Sequence, residues 1–198
     1  MWTRLRRVTA RTAGTDVLSL ADAKEHLHVD SVDTEQDTEI TAAIKAAVDR
    51  IEGPEGIGVA LNSTAWRLSL DGFPACIRIP LGPVTAVSSI VYTDAAGDDQ
   101  TLASTAYKYD LDADPMTIVR APGATWPATQ AIPGAVKITF TAGYADAASI
   151  PGELLRFVRL MVGHSYENRE AATVGAEAFE IPMGAQMILD DFRRGVVA

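Results

Sequence analysis

The chain has 198 residues with a formal net charge of −9; 47% are hydrophobic and 22% charged, which is ordinary globular usage. A chain of this size buries roughly 70% of the surface it exposes when unfolded, so neither a metal nor a disulfide is required for a stable core, and the one cysteine, Cys76, excludes an intramolecular disulfide framework and points to a reducing compartment. No apolar run reaches the ~18–20 residues of a membrane span, and the opening "MWTRLRRVTARTAG" lacks the apolar core of a secretory signal, so the reading is of a soluble protein, intracellular when made, with no membrane partner.

Residues 1–16 read as a basic N-terminal arm. Arg4, Arg6, Arg7 and Arg11 stand there with no acid before residue 15, so the other 184 residues carry about −13, the formal −9 less four arginine charges. An acidic body is a poor general nucleic-acid binder, because phosphate contacts dominate such affinity. The four arginines therefore read as a tail, or as a segment that orders against a partner.

Residues 17–58 read as two helices. In "SLADAKEHLHVD" Ser19 can cap the first, with Asp22 three residues on, and Leu20, Ala23 and Leu27 share a face. His26 and His28 lie two apart on this helix, so their side chains diverge and do not grip one metal. The second helix starts near Thr34, capped by Asp33 with Gln36 or Thr34 with Asp37. It carries the stripe Ile40, Ile44, Ala47, Val48 and Ile51, and "EGPEGIG" stops it. Those glycines follow a helix and lead toward a strand, the reverse of the order a phosphate loop needs.

From residue 59 to 148 the period changes to two. "TAWRLSL", Ile77 and Ile79 around Arg78, "AVSSIVYTD", the hairpin "YKYDLDADPMTIVRA" and "VKITFTAGY" alternate apolar and polar residues between polar turns, which predicts a compact antiparallel sheet or small sandwich. Asp110, Asp112 and Asp114 mimic the first half of a calcium loop. The sixth position is Pro115 instead of glycine and the twelfth Ala121 instead of glutamate, so the stretch reads as a solvated turn.

Residues 149–198 return to helix. Leu154, Leu155, Val158, Met161, Val162, Ser165 and Tyr166 form a wide face with Phe157, Leu160 and His164 as a second flank, predicting a helix covered on two sides. It ends in "HSYENREA" (164–171). His164 and Asn168 are neighbours one turn apart, as are Tyr166 and Glu170, and Asn168 with Arg169 can satisfy the terminal carbonyls. An acid–base site at His164 and Glu167 would want a nucleophile or second cluster, and the sequence supplies neither. His164, Tyr166, Asn168, Arg169 and Glu170 therefore read as a structural joint or subunit interface. "PMGAQMILDDFRRG" is a last helix, with Arg193 and Arg194 in its final turn. The fold class is α+β: a helical core of two N-terminal and two C-terminal helices with an inserted antiparallel β-subdomain. No catalytic, metal or cofactor set is expected.

The ordered series "LSLADAKEHLHVD", "TAWRLSLDGFP", "IRIPLGPVTAVSSIVYTDAAGDDQ", "YKYDLDADPMTIV", "ITFTAGYADAASIP" and "HSYENREA" resembles the head–tail connector, or adaptor, proteins of tailed phages, prophages and gene-transfer agents. The resemblance spans residues 17–194, with Ser165 standing where an aromatic is common. It implies a protein without enzymatic activity, made in the host bacterial cytoplasm and built into the neck of a virion or phage-like particle. It further implies a homo-oligomeric ring, usually of twelve, between the portal protein and a stopper or other neck or tail protein, with genome DNA passing through the channel without specific binding. The family's C-terminal segment commonly engages the portal, which corresponds here to Met187, Ile188, Phe192, Arg193 and Arg194. An acidic body suits such a channel, since phosphates are repelled. The alternative is a nucleic-acid-binding accessory protein working through Arg4, Arg6, Arg7 and Arg11.

Overall fold

The computed structural model describes residues 4–9, 14–53, 56–168 and 183–193. The chain is α+β with an inserted antiparallel sheet region and divides into two compact units. One unit comprises Thr12–Asn62 with Tyr144–Arg193; the other comprises Ser63–Gly143 with the N-terminal segment Met1–Arg11.

The first unit is helical: α1 (Leu20–Leu27), α2 (Asp37–Ile51), α3 (Gly152–Glu167) and α4 (Met183–Phe192). Ser19 caps α1 as the sequence predicts, its Oγ accepting from the Asp22 amide at 3.1 Å and donating to Asp22 Oδ2 at 2.6 Å. α1 ends at His28, whose φ of 57° is left-handed; its amide donates to Glu25 O and the Val29 amide to Lys24 O, closing the terminal carbonyls. α2 lacks either predicted cap. Its N-cap is Gln36, whose side chain makes no capping bond, while Asp33 Oδ1 accepts instead from the Glu35 amide. The first turn is held by Lys24, whose ammonium pairs with Asp37.

Period 3.6 places all five stripe residues of α2 in the core, and Leu154, Phe157, Val158 and Val162 of α3 join them. Leu155, Leu160, Met161 and Tyr166 pack half-buried around this centre, so α3 is covered on two flanks. Val59 and Leu61, which the sequence assigned to the insertion, belong to this core. The chain turns back sharply to put them there. A Cβ on Gly56 would lie 2.3 Å from Ile51 O, so only glycine fits that approach.

Among the described residues the second unit holds eight strands: β1 (Arg4–Arg7), β2 (Thr64–Leu70), β3 (Cys76–Ile79), β4 (Val84–Thr93), β5 (Asp99–Thr101), β6 (Tyr107–Asp110), β7 (Met116–Arg120) and β8 (Val136–Ala142). They form a five-stranded sheet in the order β1-β2-β8-β4-β5 and a three-stranded sheet β3-β7-β6, every neighbouring pair antiparallel. Alternation sorts the side chains: Trp66, Leu68 and Leu70 of β2, Ile138 and Phe140 of β8, and Ile77, Ile79, Met116 and Ile118 of the smaller sheet are buried.

Two strands escaped the sequence reading. Residues 1–16 were set apart as an arm, whereas Arg4–Arg7 are the edge strand of the larger sheet, in register with Trp66–Ser69. The pairing continues beyond the strand, with the Val8 amide donating to Ala65 O at 2.8 Å. The backbone ladder and the Arg7 guanidinium, 4.6 Å from the Trp66 ring centroid, hold what composition alone presents as a solvated tail. β5, "DQT", is wholly exposed and polar, and it pairs through its backbone with Val91–Thr93.

Candidate assembly surfaces

At the end of α3, Asn168 acts as the predicted closing residue. Its backbone amide and its side-chain Nδ2 both donate to His164 O, at 3.0 and 2.9 Å, and Nδ2 lies 3.3 Å from His164 Nδ1. His164 is half-buried, and Tyr166 packs against the helical core. These contacts draw His164 and Asn168 together as a helix terminus, with no nucleophile among them. Arg169 and Glu170 lie outside the described residues.

On α4 the segment named for portal contact divides in two. Ile188 is buried and Phe192 packs half-buried against the helical core, so both hold the helix down instead of facing outward. Met187 is 64% exposed and Met183, one turn earlier, 83% exposed. Arg193 is exposed and lies 3.9 Å from Asp190, which also accepts from Gln186 at 3.0 Å. The outward face thus offers two adjacent methionines beside an aspartate–arginine pair. Methionine is unbranched and polarizable and suits an adaptable contact. Met183 went unremarked in the sequence, though its spacing from Met187 marked it. Arg194 and Arg11 lie outside the described residues.

At the N-terminal edge, Arg4 and Arg6 pair with Ser69 and Arg67, which alternate with the buried Trp66 and Leu68; their side chains are exposed on the outer face of the sheet. At the opposite edge stand Asp98 and Asp99, with Asp94 in the adjoining turn. Asp94 accepts from the amides of Ala96 and Asp98 and from Gln100 Nε2, and bonds of this kind, led by that of Asp98, hold its carboxyl below the ordinary 3.8. Asp99 is lowered likewise, first by the Thr93 hydroxyl at 2.8 Å and then by Lys137 at 3.2 Å.

Two buried charges were invisible in the sequence. Lys24, 4% exposed, donates to Asp33 O at 2.6 Å and lies 2.5 Å from Asp37 Oδ1, tying the α1–α2 loop to the first turn of α2. Glu52 Oε1 accepts from the amides of Leu61 and Asn62, at 3.2 and 3.4 Å, where the chain leaves the helical unit. Both serve the frame. Among the described residues no group of three or more His, Cys, Asp or Glu is placed to hold a metal. In the DLDAD turn, Asp110 Oδ1 accepts from the Asp112 amide at 3.0 Å.

No family model matches the chain, and no curated protein does. Solved structures do match. One is a chain of the neck of an empty gene transfer agent particle computed with C6 symmetry: 28% identical, TM-score 0.77, covering 98% of this chain and 97% of that one. A chain from the virion of a native gene transfer agent particle gives 28% and 0.75 at the same coverage. One from the neck of a native particle computed with C12 symmetry gives 27% and 0.69. The resemblance drawn from the ordered sequence segments thus holds in three dimensions: the neighbours are neck and virion components of phage-like particles.

Proposed function

We propose that the chain is a structural subunit of the neck of a phage-like particle, an adaptor that joins the portal to the neck or tail. It works by binding alone, as a homo-oligomeric ring of twelve around the DNA channel. The observation that carries this reading is the likeness over 98% of the chain to a neck component at TM-score 0.77. The symmetries of those necks, C6 and C12, support the ring, because rotational symmetry of this order uses two different faces of each protomer. On this reading Met183, Met187 and Arg193 on the outer face of α4 meet the portal, while Ile188 and Phe192 keep that helix seated. The excess of acids elsewhere keeps DNA from adhering to the channel wall.

A tagged pull-down from producing cells at moderate salt, read by mass spectrometry, tests the assignment. It is expected to recover the portal protein together with neck or tail components. Recovery of nucleic acid in their place, lost when residues 1–14 are removed, would replace the adaptor with the accessory DNA-binding reading.

A further inference from the structure

The five-stranded sheet ends in two edges of opposite charge. β1 carries the exposed Arg4 and Arg6; around β5 stand Asp94, Asp98 and Asp99, with Lys137 beside Asp99. Exposed edges commonly carry charge as protection against sheet-to-sheet pairing. Like charges on both edges would give that protection in every arrangement. Opposite charges give it selectively: they repel β1 from β1 and β5 from β5, and leave β1 against β5 attractive. The geometry points to a head-to-tail contact in which the β1 edge of one copy docks on the β5 edge of the next. This rests on the ring reading above and names the surfaces that close it.

Three features of the sheet agree. The Val8 amide bonds Ala65 O, so the register Arg6↔Arg67 and Arg4↔Ser69 turns the even residues of β1 toward β2 and leaves the backbone groups of Leu5 facing away. On the other side Asp98 O accepts from Asp94 and the Leu102 amide donates to Ile90 O, so the backbone groups of Asp99 and Thr101 face away from β4. Registers also run Arg4, Ser69, Lys137, Val91, Thr101 across the whole sheet, which puts Arg4 and Thr101 at the two ends of one row on one face. Because each of the five strands opposes its neighbour, β1 and β5 run in the same direction. Copies repeated in one sense therefore bring these edges together in parallel. With three residues in β5 the backbone ladder is short, so the charges decide the pairing.

The test uses two charge-reversed forms of the full chain. In Arg4→Glu with Arg6→Glu both edges are acidic. In Asp98→Lys with Thr101→Lys the β5 edge becomes basic, while Asp94 and Asp99 keep their own hydrogen bonds. Assembly is read by native mass spectrometry on wild type first, alone and with the neck components recovered from producing cells, and thermal unfolding establishes that each variant is folded. Wild type is expected to form the ring, each variant alone to lose it, and an equimolar mixture to regain it with the two forms alternating. A ring from either variant alone, or failure of the mixture to reassemble, overturns the edge contact and leaves the adaptor reading standing. A wild type that stays monomeric in both conditions defeats the ring reading itself, and the edge contact with it.

Discussion

Lys24 shows how far a single side chain can depart from what its neighbours in sequence suggest. In "ADAKEH" it reads as one more solvated helix charge, yet its ammonium is buried and shared between a loop carbonyl and Asp37. Only the loop's fold back over α1 creates that environment. Removing one partner of a buried pair leaves the rest unsatisfied, so Lys24→Ala is expected to cost about 3 kcal/mol in urea unfolding. A loss below about 0.5 kcal/mol would mean water replaces the ammonium freely. Ser19 is the opposite case. Its bond to the Asp22 amide is a contact over three residues and was legible from spacing alone. His28 was read as part of a helix running over residues 19–30, whereas α1 ends at Leu27 and His28 closes it with a left-handed φ of 57°. Because glycine reaches that region without steric cost, His28→Gly is expected to stabilise by about 0.5–1 kcal/mol in the same assay.

At the scale of elements, legibility followed burial. The α2 stripe and the broad α3 face were readable because period 3.6 and a packed core impose the same pattern. β2, β7 and β8 were readable through period two. β1 and β5 were not, because an edge strand needs only backbone partners on one side and its side chains are free to be arginine or aspartate. The β4–β5 hairpin gives a test by pH. Its carboxyls Asp94 and Asp99 are held below 3.8, so the unfolded chain takes up protons first; their contribution is present above 3.8 and is lost as pH falls through the lower folded values. Exchange protection of the Asp98 and Leu102 amides, corrected for intrinsic rate, is therefore expected to hold from about pH 7 to 5 and to fall only below 3.8. Loss of protection between about pH 7 and 5 would contradict this.

For the whole molecule, the order of helices and strands carried the fold, and the same order carried the likeness to neck proteins of gene transfer agents. The surfaces that meet other chains were much less legible. Ile188 and Phe192 were named for portal contact because the family resemblance assigns the C-terminal segment that role; within the chain they pack against the helical core, which periodicity alone did not show. Met187 and Arg193 remain outward, joined by Met183. The central claim is that this protein completes the head by joining it to the tail. Deleting its coding sequence in producing cells and viewing the particles by electron microscopy tests that claim most directly. The account predicts heads without attached tails, restored by the wild-type chain supplied in trans. Intact, tailed particles in the deletion would contradict it.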